Sequence, residues 1–502
     1  MATWYKDHTF SLVLFPLLAV LTIILRPAGD AVLVNRMIAV VILMAGWWVT
    51  EALPIAVTSI LPVALFPLLG IMDGGSAASQ YFNDIIFLFL GGFILSLALE
   101  KWDLHLRIAY RSLRMFGSGA YRILLGFMFA SSFLSMWMSN TATAVMMLPI
   151  ALSVVHEMEH IHGKEKMHRY RIALLLGIAY ACSVGGITTL IGTPPNLALV
   201  AILKNMYPAA PAISFSSWLI FALPGYIVLL LAASMVLYLF FKPDFKGDGN
   251  FRKFIREENK KIGKTTPEQR LVLILFLAFA LLLIFKNDIV AGSFRIPGWA
   301  GLFSNPSYIK DGTVAVLIAS LLFVLPSKTH SSRLMNWSTA VKLPWRIILL
   351  FGGGFALAKG SVESGLTHWI GMKMAGFSGM SDFSLIAVNA SLMAALTEFT
   401  SNTSTAQILL PVVGAFSEGM KMNPEFLMIP VAVASSLAFM LPIATPPNAI
   451  VFGSGYIRMR DMLLPGLLMN IVGIIVITFL MYFWGIKVFH IDPGVFPAWA
   501  GG

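Results

Sequence analysis

Residues 139–149 read SNTATAVMMLP and residues 401–411 read SNTSTAQILLP, with seven of eleven positions identical at an offset of 262 residues. Each phrase is followed by a second shared one, IGTPPN at 191–196 and IATPPN at 443–448. Small polar residues and prolines here interrupt some of the most apolar stretches of the chain. A broken helix at membrane depth frees backbone N–H and C=O groups that lipid cannot pair. Such breaks persist only where protein encloses them around a cavity. Two matching pairs, one in each half, form the pattern of a carrier's binding site.

Composition agrees. Of 502 residues, 58% are hydrophobic and only 12% charged, and the mean hydropathy is +0.82. A soluble domain carries about 25% charged residues, so the chain is read as a polytopic membrane protein. The excess of 35 Lys+Arg over 24 Asp+Glu sits in loops between apolar runs, as the positive-inside rule places it. That excludes nucleic acid as the reason for the basic balance. Cys182 is the single cysteine, which excludes a disulfide framework or a cysteine metal cluster. The apolar run 11–25 lacks a small-residue cleavage site before Arg26 and Pro27, so it reads as an uncleaved first span.

A helix needs about 20 apolar residues to cross a bilayer. Spans are expected at 10–26, 36–52, 54–70, 84–100, 171–206, 217–241, 270–286, 311–326, 345–361, 425–457 and 462–487. The fifth and tenth are over-long and interrupted at TPPN, so each reads as one broken helix. Segments 121–157 and 382–420 carry the SNT phrases near their middles and read as re-entrant hairpins. Two full spans each is the alternative. Lys and Arg number five in 100–122, nine in 242–270 and four in 327–346, but none in 71–84 or 205–216. This puts the N-terminus in the cytoplasm and the C-terminus outside, although Arg26 and Arg36 then face outward.

The repeat extends beyond its motifs. Gly91-Gly92-Phe93 returns as Gly353-Gly354-Phe355 at the same offset. Five crossings separate equivalent points, an odd number under either hairpin reading, so the two halves have opposite orientations. The expected fold class is all-α: about eleven spans plus two hairpins in two inverted repeats. The expected division is 1–120, 121–242, a cytoplasmic linker at 243–269, 270–380 and 381–502. Within 101–116, Trp102, Leu106, Ala109, Leu113 and Phe116 form one helical stripe opposite Arg107, Arg111 and Arg114. This reads as an amphipathic helix on the cytoplasmic surface, answered by 363–378 on the other.

Ser, Thr and Asn favour helix N-caps, and proline favours the first helical position. Helices are therefore expected to start near Thr141 and Thr403, and again after Thr193 and Thr445. Opposed hairpins bring such starts toward the midplane. Each start offers unpaired N–H groups and about half a positive charge, so together they suit an anion without buried Lys or Arg. The helix ends at the same breaks expose carbonyl oxygens, ligands for a hard cation such as Na⁺. A cation bound first would fix the tips for the anion.

These residues resemble the divalent anion/sodium symporter family, whose members carry dicarboxylates, citrate or sulfate. The likeness covers essentially the whole chain and includes WWVTEALP at 47–54 and NDIIFLFLGGFIL at 83–95 with both SNT and both TPPN phrases. The resemblance implies a homodimer in the membrane lipid, each protomer with a scaffold (1–120, 270–380) and a moving transport domain (121–242, 381–502). Carried over, the first Na⁺ site uses Ser135, Ser139, Asn140 and Gly192, and the second Thr397, Thr400, Asn402 and Ala444. Substrate carboxylates meet Ser139, Asn140, Thr141, Ser401, Asn402 and Thr403, with Thr193, Pro194, Thr445 and Pro446 shaping the pocket. The expected cargo is Na⁺ with a C4-dicarboxylate such as succinate, malate or fumarate, with no organic cofactor. Citrate, sulfate and Na⁺-independent exchange stay open, and the expected location is a bacterial inner membrane.

Three further features compete with that reading. HEMEH at 156–160 is a literal HExxH, the zinc motif of metalloproteases. It sits in a His-, Lys- and Glu-rich run without a clear third ligand, so a solvated helix end is the simpler reading. Glu398, answered by Met136 in the first half, is an ionisable group at membrane depth; proton sensing and a packing role are both open. Glu51 reads as structural. A channel remains a third class, disfavoured by the closed anion pocket that paired helix starts would form.

Overall fold

The computed structural model describes residues 2–117, 119–243, 249–291, 294–328, 333–374 and 379–501. It is a polytopic all-helical protein. Helix α1 (Ala2–Leu25) pairs with α2 (Val32–Thr50), which ends on Glu51 in the left-handed region, φ 47°. Glu51 thus stops a helix, the structural role expected of it. The span expected at 54–70 is two short helices, α3 (Ile55–Ser59) and α4 (Leu61–Leu68). Pro62 lacks an N–H and its ring clashes with the carbonyl one turn back, which breaks the helix there. The Ser59 carbonyl accepts the Tyr81 hydroxyl at 2.5 Å instead, and Trp48 Nε1 donates to Ser59 Oγ at 3.1 Å. Trp48, Phe66 and Tyr81 then anchor a compact core with Leu350 and Leu357.

The first half continues through α5 (Gly74–Ser79), α6 (Asp84–Lys101) and α7 (Leu104–Phe116). The first hairpin is α8 (Ala120–Ser135) and α9 (Asn140–His162); the first broken helix is α10 (Lys164–Thr188) and α11 (Pro194–Met206). Helix α12 (Phe215–Phe240) ends the half. The second half runs through α14 (Pro267–Ile284), following a linker helix α13 (Gly249–Lys261), then α15 (Asp311–Val324), a turn α16 (Trp337–Ala340), α17 (Trp345–Glu363) and α18 (Leu366–Met374). The second hairpin is α19 (Asp382–Thr397) and α20 (Asn402–Gly419), and the second broken helix is α21 (Pro424–Ala434) and α22 (Pro446–Gly453). Helix α23 (Met459–Phe479) passes through a π turn at Leu480–Gly485 into α24 (Ile486–Val488). One short hairpin, β1 (Ile289–Ala291) against β2 (Phe294–Ile296), lies between α14 and α15 and was not expected.

Arms α8 and α19 have 16 residues each. At 1.5 Å per residue that is about 24 Å, short of a hydrocarbon core about 30 Å thick. Helices α9 and α20 have 23 and 18 residues, and α9 alone of the four arms is long and apolar enough to cross. The short first arms accord with the hairpin reading. Helices α8–α12 pack with α19–α23, while α6 packs along α15 and α17 along α3. The repeated glycine pair divides two tasks. A Cβ on Gly91 would lie 2.5 Å from Ala315 O, and one on Gly353 2.5 Å from Ser59 O, so these glycines let helices of one group meet. Gly92 faces Ile191 and Gly354 faces Gln407, both on the elements that carry the polar phrases.

Helix α7 is amphipathic as expected, with Ala109 and Leu113 buried and Arg111 and Arg114 exposed. Arg107 departs from that face. It donates to Gln269 Oε1 at 2.5 Å and to the carbonyls of Gly263, Lys264 and Ile262 at 3.0, 2.8 and 3.3 Å, pinning the turn between α13 and α14. The linker expected at 243–269 is thus helical and held against the interface helix over its described part, 249–269. Residues 244–248, and 375–378 of the segment expected to mirror α7, lie outside the described residues.

Gly91→Val forces a side chain into the Ala315 backbone, and overpacking of this kind costs about 1–3 kcal/mol. A lowered thermal midpoint of the purified protein is expected, whereas Gly301→Ala, with open space around it, is expected to leave it unchanged.

Candidate functional site

Each SNT tip closes on the break of its own repeat. In the first, Ser139 caps α9, accepting the Ala142 N–H at 3.1 Å, and the helix starts at Asn140, one residue earlier than expected. Ser135 Oγ donates to Asn140 Oδ1 at 2.6 Å. Asn140 Oδ1 lies 2.5 Å from where a Gly186 Cβ would be, and a Cβ on Gly192 would sit 2.6 Å from Gly186 O and 3.0 Å from Ser135 O. Neutral oxygens from three segments therefore gather around Gly186 and Gly192, where any side chain would displace them. Ser135, Asn140 and Gly192, three of the four residues expected at the first cation site, are brought together. Ser139 is drawn into the cap instead.

The second repeat repeats the plan with differences. Thr397 Oγ1 lies 2.7 Å from Asn402 Oδ1 and 2.9 Å from Ser435 O. Three neutral oxygens therefore meet at Thr397 Oγ1, the kind of donor set a hard cation takes. Thr400 is turned away, donating to Leu396 O at 2.8 Å and touching Thr405 Oγ1 at 2.5 Å. Ala444 is buried and acts through its backbone, its N–H on Leu441 O at 3.2 Å; it makes no hydrogen bond to Thr397 or Asn402. Helix α20 starts at Asn402, one residue earlier than expected, and Ser401 does not cap it through its side chain. Its first-turn N–H groups are left for another partner.

The TPPN restarts match the expectation. Thr193 and Thr445 precede α11 and α22 in extended backbone, with Pro194 and Pro446 in the first turn, and Thr445 Oγ1 accepts the Asn448 N–H at 3.4 Å. Thr193 and Thr445 are buried, Pro194 half-buried and Pro446 exposed. At the tips Ser139, Asn140, Ser401 and Asn402 are half-buried, Thr403 is buried and Thr141 is exposed. Helix α22 packs on α9 and α10, while α11 packs on α20 and α21. Each half's restarted helix thereby lies against the other half's hairpin. None of the hydrogen bonds at either break involves Lys or Arg among the described residues, so helix starts, small polar groups and the Glu398 carboxylate make up the polar chemistry there.

Three residues hold this geometry that the motifs alone did not reveal. Asn196 Nδ2 donates to Thr189 O at 2.7 Å and lies 3.3 Å from Gly186 O; Asn448 Nδ2 reaches Leu441 O and Ala438 O, both at 3.0 Å. Those carbonyls occupy equivalent positions at the 252-residue offset of the TPPN phrases. The final letter of TPPN carried the signal, read there only as part of a cap. Glu398 is the third. Its carboxylate accepts the N–H groups of Phe439, Met440 and Leu441 at 2.9, 3.0 and 3.1 Å and the Asn470 amide at 2.7 Å. The corresponding position in the first half, Met136, uses its backbone carbonyl instead, accepting the Thr189 hydroxyl. One position per repeat ties tip to break, by two different chemistries.

The HEMEH run lies away from this centre. His156 Nε2 is 3.4 Å from the Tyr456 hydroxyl, and Glu159 pairs with Arg171 at 2.6 Å. Among the described residues no group of three or more His, Cys, Asp or Glu is placed to hold a metal.

Helices long and apolar enough to cross a membrane, with two broken helices whose breaks receive the polar SNT tips, are the architecture of a membrane transporter. More specifically, the chain belongs to the sodium:sulfate symporter family, whose transmembrane region matches residues 6–491. It is 42% identical over 491 residues to the sodium-dependent dicarboxylate transporter SdcS of Staphylococcus saprophyticus, covering 96% of this chain and 92% of that one. It is 39% identical over 482 residues to SdcS of Staphylococcus aureus strain bovine RF122, covering 94% and 90%. Among solved structures, Neisseria gonorrhoeae MtrF superposes with a TM-score of 0.54 at 13% identity, over 81% of this chain and 83% of that one. Alcanivorax borkumensis YdaH gives 0.52 at 13%, over 82% and 88%. These two likenesses concern the fold alone. The protein is a transporter and not an enzyme, which sets the protease reading of HEMEH aside.

Glu398→Ala would leave three buried N–H groups unpaired, each worth about 1–3 kcal/mol. The expected result is a lower thermal midpoint and an Na⁺ requirement for uptake raised at least about tenfold. Glu398→Gln keeps an acceptor and is expected to be milder, with an unchanged pH profile. Equal effects of the two variants, or a shifted pH profile, would contradict the anchoring role.

Proposed function

We propose that the protein couples Na⁺ entry to uptake of C4-dicarboxylates such as succinate, malate or fumarate. The observation that carries this reading is the Thr397–Asn402–Ser435 cluster of neutral oxygens beside the uncapped start of α20, with Ser135 and Asn140 paired at the equivalent place in the other repeat. Cation and anion then share one set of loops, so a cation that fixes the tip also builds the anion site. The names of the SdcS relatives, sodium-dependent dicarboxylate transporters, support the same cargo.

In this reading Na⁺ occupies Ser135, Asn140 and Gly192 in the first half and Thr397, Asn402 and Ala444 in the second, Ser139 and Thr400 contributing through their backbones. The dicarboxylate meets Ser139, Asn140, Thr141, Ser401, Asn402 and Thr403, between walls made by Thr193, Pro194, Thr445 and Pro446. Residues 121–242 and 381–502 move as a transport domain against a scaffold of 1–120 and 270–380, in the manner of an elevator, with 243–269 as cytoplasmic linker. The working unit is a homodimer in the lipid of a bacterial inner membrane, N-terminus inside and C-terminus outside. Sulfate, named in the family description, is the second reading for the cargo, because neutral N–H donors do not by themselves select carboxylate.

Reconstituted protein is expected to accumulate labelled succinate under an inward Na⁺ gradient, and not under a K⁺ gradient. Excess unlabelled sulfate should compete weakly. Uptake driven equally by internal succinate without Na⁺ would identify an exchanger, and accumulation of sulfate in preference to succinate would reassign the cargo.

A further inference from the structure

Gln407 lies on α20 at the position that Val145 occupies in the first half, where Val145 is 53% exposed. Gln407 is fully buried, yet neither its Oε1 nor its Nε2 has a hydrogen-bond partner among the described residues. Its amide lies where a side chain on Gly354 of α17 would be, 1.8 Å from that glycine's ideal Cβ. The same side chain lines a cavity of about 50 Å³ between α20 and helices α2, α17 and α18. Thr367 of α18 lines it too, buried and with its hydroxyl unpaired, as does Ser361 of α17, whose hydroxyl donates to Leu357 O at 2.8 Å and retains free lone pairs. The remaining wall is aliphatic, including Ile370 and Pro411.

We propose that this cavity is a binding site for a small cluster of water that bridges the Gln407 amide to the Thr367 and Ser361 hydroxyls. An amide presents donors and an acceptor together. A bare cation would serve the oxygens and leave Nε2 facing aliphatic carbon, whereas water serves both. At roughly 10–15 Å³ per water on this measure, the volume holds about three to five. The residues that carry these unpaired atoms line opposite walls, and rotation about their side-chain bonds brings amide and hydroxyl to such a cluster. If α20 belongs to a moving domain, as proposed above, the bridge supplies exchangeable partners across a surface that must slide, where a direct bond would have to break in every cycle. Only that consequence rests on the proposed function; the site itself does not.

The test is a structure of the full-length protein in lipid nanodiscs, at a resolution that shows ordered water, in Na⁺ and again in choline. Water-sized density within hydrogen-bonding distance of Gln407 and Thr367 is expected in both. Density that disappears without Na⁺ would mean a cation site, and an empty cavity with the amide rotated onto a protein partner would mean no site; either overturns the proposal. Thermal midpoints of Gln407→Met, Thr367→Val and the double variant give an independent reading. Shared water predicts that the double variant shifts no more than the larger single one, with Thr367→Ser near wild type; additive shifts would overturn it. A failure to accumulate succinate would undo the proposed cargo and leave these results as they stand.

Discussion

A helix interrupted inside a membrane must pair its freed backbone groups with something other than lipid. The architecture follows from how this chain meets that demand twice. In the first half Asn196 gathers the carbonyls that end α10, and Thr189 ties the break to Met136 of the hairpin tip. In the second half Asn448 gathers the equivalent carbonyls, and Glu398 collects three successive N–H groups. In the function proposed above, what these side chains leave unpaired faces the cargo: carbonyl and amide oxygens on one side, helix-start N–H groups on the other. Cation and anion chemistry are in that reading two consequences of one break.

The halves are not equivalent, and the differences point the same way. The first break spans the few residues between Thr188 and Pro194, while the second runs from Ala434 to Pro446. The longer break exposes more consecutive N–H groups, and a charged acceptor at Glu398 answers that need where the Met136 carbonyl suffices in the shorter one. Gly192 admits oxygens from both flanks, whereas Ala444 carries a methyl group and Thr397 compensates with a hydroxyl set between two acceptors. The polar Gln407 against Gly354 extends the asymmetry into the surface where the second hairpin meets its neighbours.

Much of this was legible in the sequence because the costs involved are large. Polar, proline-containing phrases inside apolar runs announce breaks, and their repetition announces the internal symmetry. Hairpin arms and broken helices follow from those phrases, the amphipathic α7 from its own stripe at 101–116, and the grouping of Ser135 with Asn140 and Thr397 with Asn402 from the family resemblance. What escaped was set by tertiary partners. The α3–α4 break depends on Pro62, but is tolerable only because Tyr81 reaches Ser59 O from 22 residues away. Arg107 looked like one more basic residue on a polar face until α13 brought carbonyls to it. Glu398 could be flagged as costly at its depth, yet its role required knowing that the second break folds over it. Ser139 and Thr400 were assigned to cation sites by position, while local geometry spends their hydroxyls on a cap and on neighbouring oxygens.

The claim that each tip and its own break form a cation site that builds the anion site is tested most directly by succinate binding to purified protein as a function of Na⁺. Asn140→Ala and Asn402→Ala are each expected to move the Na⁺ midpoint upward by about tenfold, with succinate affinity restored at saturating Na⁺. Unaltered Na⁺ midpoints in both variants would contradict the account, because the oxygens at these two positions would then take no part in holding the ion.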